Sequence, residues 1–297
     1  MANKFEGKIE FNSMEQLLRK DYQEKDILLE ETHAFKEHPF LVRDDEAMDQ
    51  LVRSIELQGV LDPIIVRERK EGGYEIISGH RRSHAAKRAG NKTIKARIVK
   101  MTDAEATLAM VDSNMQRDEI LPSEKAKSTK QRLDAINALR KESRDKCGQL
   151  DHIFRGKRSI EVLAEESNES PKQIQRYIQL NKLIPELLEL MDEKKIKMAP
   201  GLEISYMQEE DQRALLGIIQ SENLYPTAAE AKELKELSQS GECSASKIFS
   251  MLVIDNLPST RIVLDQGMVM EYFRSDQSKE EILETIERLL HEWKYGK

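Results

Sequence analysis

Cysteine is nearly absent: the 297 residues hold two, Cys147 and Cys243, far apart and without ligand-like spacing. Neither a disulfide framework nor a zinc site is indicated, and both are expected as free thiols. Long apolar runs are missing too. No stretch approaches the ~20 residues of a membrane-spanning helix, and the opening MANKFEGKIEFNSMEQLLRK lacks the apolar core of a secretory signal. A cytoplasmic chain with no membrane contact is therefore expected. Internal repeats and low-complexity tracts are also lacking, so a repeat array is not expected.

What the chain has is charge. At 34 % charged and 39 % hydrophobic residues it reads as a soluble, helix-rich protein, long enough for two or three domains. The net charge of −7 argues against coating nucleic acid with the whole surface, but it hides a local reversal. Between Gly79 and Lys100 stand Arg81, Arg82, Lys87, Arg88, Lys92, Lys95, Arg97 and Lys100, with no acidic residue among them. The acidic excess lies around Glu209, Glu210 and Asp211 and through Glu230, Glu233 and Glu236.

Residues 1–35 read as an arm to which no chemistry attaches. From there to about 140 the pattern is α+β. Met48, Leu51, Val52 and Ile55 share a helical face over 45–57, with Gly59 at its end; Ile64 to Val66 is a strand, and Gly72-Gly73 turns into a second strand over 74–78. A helix follows Gly79, then a strand over 94–100. Thr102 and Glu105 announce a helix carrying Leu108, Val111 and Met115, and Pro122 opens another carrying Leu133, Ile136 and Leu139. The polar stretch 141–157 reads as a linker into an all-α region, with a helix-turn-helix domain over 141–225 and a helical linker over 226–258. The segment 259–297 ends in a helix whose stripe of Ile282, Ile286, Leu289, Leu290 and Trp293 is apolar enough to pack on its own domain or to pair two copies as a homodimer.

Two stretches carry chemistry. In YEIISGHRRSHAAKRAG, residues 74–90, an apolar strand breaks at Gly79 and runs into Arg81 and Arg82 at a helix start. Free backbone N–H groups, a partial positive charge and a glycine that lets a ligand approach suit an anion such as a phosphate chain; a solvated basic helix face is the plain alternative. In RSIEVLAEESNESPKQIQRYIQLNKL, Ser170 and Pro171 are cap and first residue of a helix that turns Ile174, Tyr177 and Ile178 inward. Lys172, Gln173, Gln175 and Arg176 then face outward, chemically apt for phosphates and base edges of double-stranded DNA, unless the pair is an ordinary helical hairpin.

These motifs resemble the ParB partition proteins over residues 36–220. GVLDPIIVR, from Gly59 to Arg67, is similar to the family's G-x-L-Q-P-I-x-V-R stretch. SGHRRSHAAKRAG is similar to its G-E-R-R-x-R-A box, and DSNMQRDEILPSEKA to its E-N-x-Q-R box with the N-P-x-E-x-A helix start. The resemblance implies a ParB-like N-terminal domain that binds CTP with Mg²⁺, closes as a clamp around DNA after loading, and works with a ParA-type ATPase on the nucleoid. It implies that Gly79, Arg81 and Arg82, with His80 in the same box, hold the triphosphate; that Asn114 helps hold the metal; and that Arg117 buttresses the site. Arg43 falls where the family has the arginine of Q-P-R.

The chain departs from the boxes at four places: His80 for glutamate, His84 for the second basic residue, Ser113 for the glutamate of E-N-x-Q-R and Asp62 for glutamine. Ser113 can neither ligate Mg²⁺ as a carboxylate does nor orient an attacking water, so CTP binding is implied while hydrolysis stays open. His80 and His84, four apart, lack a third zinc ligand. The fold also resembles sulfiredoxin, but Ser78 and Gly79 precede His80 and no thiol stands there. The competing functions are a transcriptional regulator with a decayed nucleotide pocket and, lowest, a nuclease, for which only Asp112 and Asp118 offer carboxylates.

Overall fold

The computed structural model describes residues 22–115, 120–145 and 156–254, with 272, 273, 278, 281, 282, 284–286, 288 and 289 near the C-terminus. The chain divides into a unit ending at Val253 and one over Ile254–Lys297. In the second, the described parts of 281–289 are helical, including Ile282, Ile286 and Leu289; Leu290, Trp293 and the strand-like RIVL lie outside the described residues.

The first unit opens with a five-stranded sheet, ordered β1-β5-β3-β4-β2, formed by β1 (Tyr22–Leu28), β2 (Thr32–His33), β3 (Ile64–Glu68), β4 (Tyr74–Ser78) and β5 (Thr93–Val99). Residues 22–28 and 32–33, which read from sequence as part of an arm, thus lie in the sheet. Their exposed, charged β1 sequence, YQEKDIL with one buried residue, masks the strand pattern. β1 pairs antiparallel with β5 from Tyr22↔Val99 to Leu28↔Thr93, and β3 lies parallel to β5. β3 and β4 form the hairpin expected at Gly72-Gly73, where both glycines take positive φ.

Alternation along the strands gives the sheet two apolar faces. Ile64, Val66 and Ile76 join Met48, Val52, Ile55, Ala85 and Ala86 from α1 (Glu46–Gln58) and α2 (His80–Arg88). Ile65 and Ile77 turn the other way, onto Ala106, Ala109 and Met110 of α3 (Asp103–Asn114) and onto Phe35 and Phe40. α3 is buried on its far side as well, where Ala104 and Leu108 meet Ala135, Ile136 and Leu139 of α4 (Pro122–Asp145).

α4 then carries the rest of the unit. α5 (Ser159–Ser167) and α6 (Pro171–Leu180) pack Val162, Leu163, Ala164 and Ile174 against its middle. A bundle of α7 (Pro185–Asp192), α8 (Met198–Ile204), α9 (Glu209–Glu222), α10 (Ala228–Ser240) and α11 (Ala245–Phe249) shares its core with Ala126 near α4's start. Gln212 ties the bundle to α6 from inside: 1 % exposed, it accepts from Ile184 N at 2.9 Å and donates to the carbonyls of Lys182 and Met207, each at 3.1 Å.

Candidate nucleotide site and nucleic-acid interface

Where β4 ends and α2 begins, Gly79 has φ +99°. A Cβ there would lie 2.6 Å from Ile64 Cγ2 and 3.2 Å from Arg82 NH2, so only glycine lets the chain turn this tightly against β3. No side chain caps the helix that follows and its first turn holds no acidic residue, which leaves its first backbone N–H groups without a side-chain acceptor and its end positive.

Around this end the basic residues are held in place. Arg82 donates through NH1 to the carbonyls of Asp62, at 2.7 Å, and Pro63, at 3.0 Å, so the GVLDPIIVR stretch and the GHRR stretch are one structure. Burial lowers its pKa from the ordinary arginine value, opposed by the nearby Asp62 carboxylate. Arg81 reaches Asp45 at 3.5 Å. Asp45 also accepts from Met48 N at 2.8 Å and so caps α1; that backbone bond first, and Arg81 second, hold its carboxyl below the usual range. Asp44 takes His84 Nε2 at 2.9 Å and Arg88 NH1 at 2.8 Å, and Arg88 reaches Asp49 at 2.7 Å. The acid-free stretch from Gly79 is therefore partly neutralised by carboxylates from the segment just before and inside α1. Sequence reading missed this, although the RDDEAMD run was there to be set against it. Arg43, in the same segment, is exposed at the rim.

His80 turns away from solvent. Its ring lies 3.9 Å, centroid to centroid, from that of His38, and its Nε2 accepts from Phe35 N at 3.5 Å. His84 points to Asp44, so the two histidines do not converge, and among the described residues no cluster of three or more His, Cys, Asp or Glu could hold a metal.

Asn114, buried at the end of α3, donates through Nδ2 to Met110 O at 2.8 Å, which leaves its amide oxygen as the atom able to meet a hard cation. Ser113 Oγ donates to the same carbonyl at 2.8 Å. Asp112 points instead into an ion pair with Arg132. One amide oxygen fits Mg²⁺ that takes its remaining ligands from phosphate and water. Arg117 lies outside the described residues.

The second stretch folds as two short helices joined by a turn. Asn168, at φ +54°, closes α5, and Ser170 Oγ caps α6 by accepting from Gln173 N at 3.1 Å. Ile174 is buried, while Lys172, Gln175 and Arg176 are exposed and Gln173 half-buried, accepting from Arg176 NH1 at 3.3 Å. Behind this surface Lys125, paired with Glu169 at 2.9 Å, lies over the Tyr177 ring.

Residues 14–115, which hold the mixed sheet and the glycine-broken strand that runs into the basic helix, match the family model described as the ParB N-terminal domain. That stretch of the chain is similar to the ParB N-terminal domain. The chain is 29 % identical over 165 residues to the nucleoid occlusion protein of Listeria monocytogenes serotype 4b, covering 55 % of this chain and 58 % of that one. It is 26 % identical over 212 residues to the probable chromosome-partitioning protein ParB of Vibrio cholerae, covering 71 % and 65 %. In neither does the match reach two thirds of the relative's length. Solved forms of C-terminally truncated ParB from Caulobacter crescentus are each 22 % identical. The complex with the centromeric parS site has TM-score 0.37, covering 73 % of this chain and 99 % of that one. The complex with CTP-gamma-S has TM-score 0.30, covering 67 % and 98 %.

Proposed function

We propose that the chain is a nucleotide-dependent DNA-binding partition protein, taking CTP with Mg²⁺ where β4 meets α2 and duplex DNA on α6. The observation that carries the nucleotide half is the Gly79 turn, which presents an uncapped helix N-terminus between Arg81 and Arg82. The names of the Listeria and Vibrio relatives, for nucleoid occlusion and chromosome partitioning, support work on DNA.

In this reading the N–H groups of α2 and the guanidinium of Arg81 bind the phosphates, and Arg43 closes over them from the rim. Arg82, anchored by two carbonyls, offers its remaining nitrogens and keeps the Asp62–Pro63 turn against the site. Asp45 holds Arg81 at only 3.5 Å, so an arriving triphosphate outcompetes it and loosens the 43–45 segment. Bound nucleotide brings Mg²⁺, which neutralises phosphate charge, and Asn114 adds one oxygen to it. With Ser113 in place of a carboxylate, the reading is of binding and switching rather than turnover. A homodimer joined through the C-terminal stripe and a ParA-type ATPase partner complete it.

A second reading, a DNA-binding regulator whose pocket has decayed, is favoured by one observation: Arg81, His84 and Arg88 already have carboxylate partners. Calorimetry with CTP, ATP, GTP and UTP, with and without duplex DNA, separates the two. We expect CTP to bind in preference to the others and Arg82→Ala to weaken it by about 2 kcal/mol, roughly thirtyfold. Absence of CTP affinity in the unmodified protein would leave the regulator standing.

A further inference from the structure

Between the turn that joins α1 to β3 and the turn that joins α2 to β5 lies a cavity of about 270 Å³, whose lining includes Val60, Leu61, Asn91, Ile94, Lys95 and Asp26. None of the residues placed at the nucleotide or DNA sites lines it. Ile94, 2 % exposed, belongs to the core that supports it. Its walls are held by backbone bonds. Gly59 N donates to Ile55 O at 2.8 Å, and Arg82 holds the carbonyls of Asp62 and Pro63 just past Leu61. On the other wall, Asn91 N donates to Ala86 O at 3.0 Å, and Lys92 O accepts from Leu29 N at 2.9 Å. The cavity is therefore formed before anything enters it.

Size and charge say what fits. The volume lies just under the ~300–1,000 Å³ of sites that enclose a whole small molecule, so it suits one large apolar side chain. Leu61 in the lining is 74 % exposed, and Leu57, directly before the lining residue Gln58, is 83 % exposed. Arg97 on β5 is taken by Glu24 at 2.8 Å. Lys95, by contrast, stands across from Asp26 without an ion pair, and the exposed Lys92 has none either among the described residues. An apolar anchor flanked by carboxylates complements this wall. A lipid surface does not: it is too flat to fill the cavity, and an anionic one would meet Asp26. A second copy related by a two-fold axis would set the same lysines against each other. We infer that this cavity docks an acidic segment of a partner protein, with one large apolar side chain seated beside Leu61 and flanking carboxylates on Lys92 and Lys95. The inference is independent of the nucleotide and DNA readings above.

The test selects a phage-displayed library of random short peptides on the unmodified full chain and measures the recovered peptides by fluorescence anisotropy at ~0.05 M and ~0.3 M salt. We expect a recovered group to share one large apolar residue flanked by Asp or Glu. Alanine at that residue, or Leu61→Ser in the protein, should weaken binding about tenfold or more. Lys92→Glu combined with Lys95→Glu should weaken it about tenfold at low salt and flatten its salt dependence. All three side chains are exposed, so both variants should melt with the parent. Failure to recover any such group, or recovered peptides that bind both variants as well as they bind the parent, overturns the inference. So does a chain that binds no peptide but loses, on Leu61→Ser, self-association in sedimentation or flotation with phosphatidylglycerol vesicles, since the occupant is then a second copy or a lipid surface.

Discussion

Replacing Gly79 by alanine tests the junction at its tightest point. The residue sits at φ +99°, where an L side chain costs about 1–2 kcal/mol. The new methyl would lie 2.6 Å from Ile64 Cγ2 and 3.1 Å from its Cβ, and Ile64 is fully buried in the core that the sheet shares with α1 and α2. Overpacking of that kind costs about 1–3 kcal/mol. Alanine recovers about 0.4–1 kcal/mol by restricting the unfolded chain. The expected loss is therefore about 3 kcal/mol, which for a unit of this size lowers Tm by about 6–12 °C. Thermal unfolding by circular dichroism measures it without any ligand. The double variant with Ile64→Ala identifies the cause: removing Cγ2 should make Gly79→Ala cost less in that background by about 1 kcal/mol or more. A Gly79→Ala protein that melts with the parent, or a cost unchanged by Ile64→Ala, would refute the steric account.

On α6, Gln173→Ala and Arg176→Ala should cost about 1–3 kcal/mol on a selected site and flatten base discrimination, whereas Lys172→Ala should weaken all sequences alike and reduce the salt slope by about one; titrations over a salt series distinguish them, and unaffected binding with all of Lys172, Gln173, Gln175 and Arg176 changed would make the pair a structural hairpin. Gln212→Leu leaves the buried Ile184 N–H and two carbonyls unpaired and should cost about 2–4 kcal/mol in urea unfolding, with no change in the midpoint counting against the hub. Burial first, and Asp211 second, push the Cys243 thiol up to about 11. In a Cys147→Ser background it should therefore react with a disulfide reagent at mildly alkaline pH roughly a hundredfold more slowly folded than unfolded, and equal rates would contradict this.

Local signals were legible where the backbone itself demanded a residue type. Gly72-Gly73, the Thr102–Glu105 box, Ser170-Pro171 and the left-handed Gly59 each marked an element end that the structure keeps. β1 was not legible: an edge strand with one buried residue has no alternating pattern to read. Of the site, glycine and arginine could be placed on a strand-to-helix turn because spacing alone decides that. Their partners could not, since Asp44, Asp45 and Asp49 come from some 40 residues upstream and Arg82's acceptors are carbonyls, which no side-chain pattern reveals.

α4 belongs to two cores at once, giving Ala126 to the helical bundle and Ile136 and Leu139 to the layer beneath α3. Its first turn is tied in both directions as well, Glu124 accepting from Leu41 N at 3.0 Å and Ser123 N donating to Asp192 at 2.9 Å. A genetic exchange that swapped α5 and α6 for helices of another protein would fail at any junction inside α4, because each half would inherit a face built for a neighbour it no longer has. An exchangeable piece holding α5 and α6 must therefore begin after α4 and leave its surface untouched, or carry the whole helix and rebuild α3 to match.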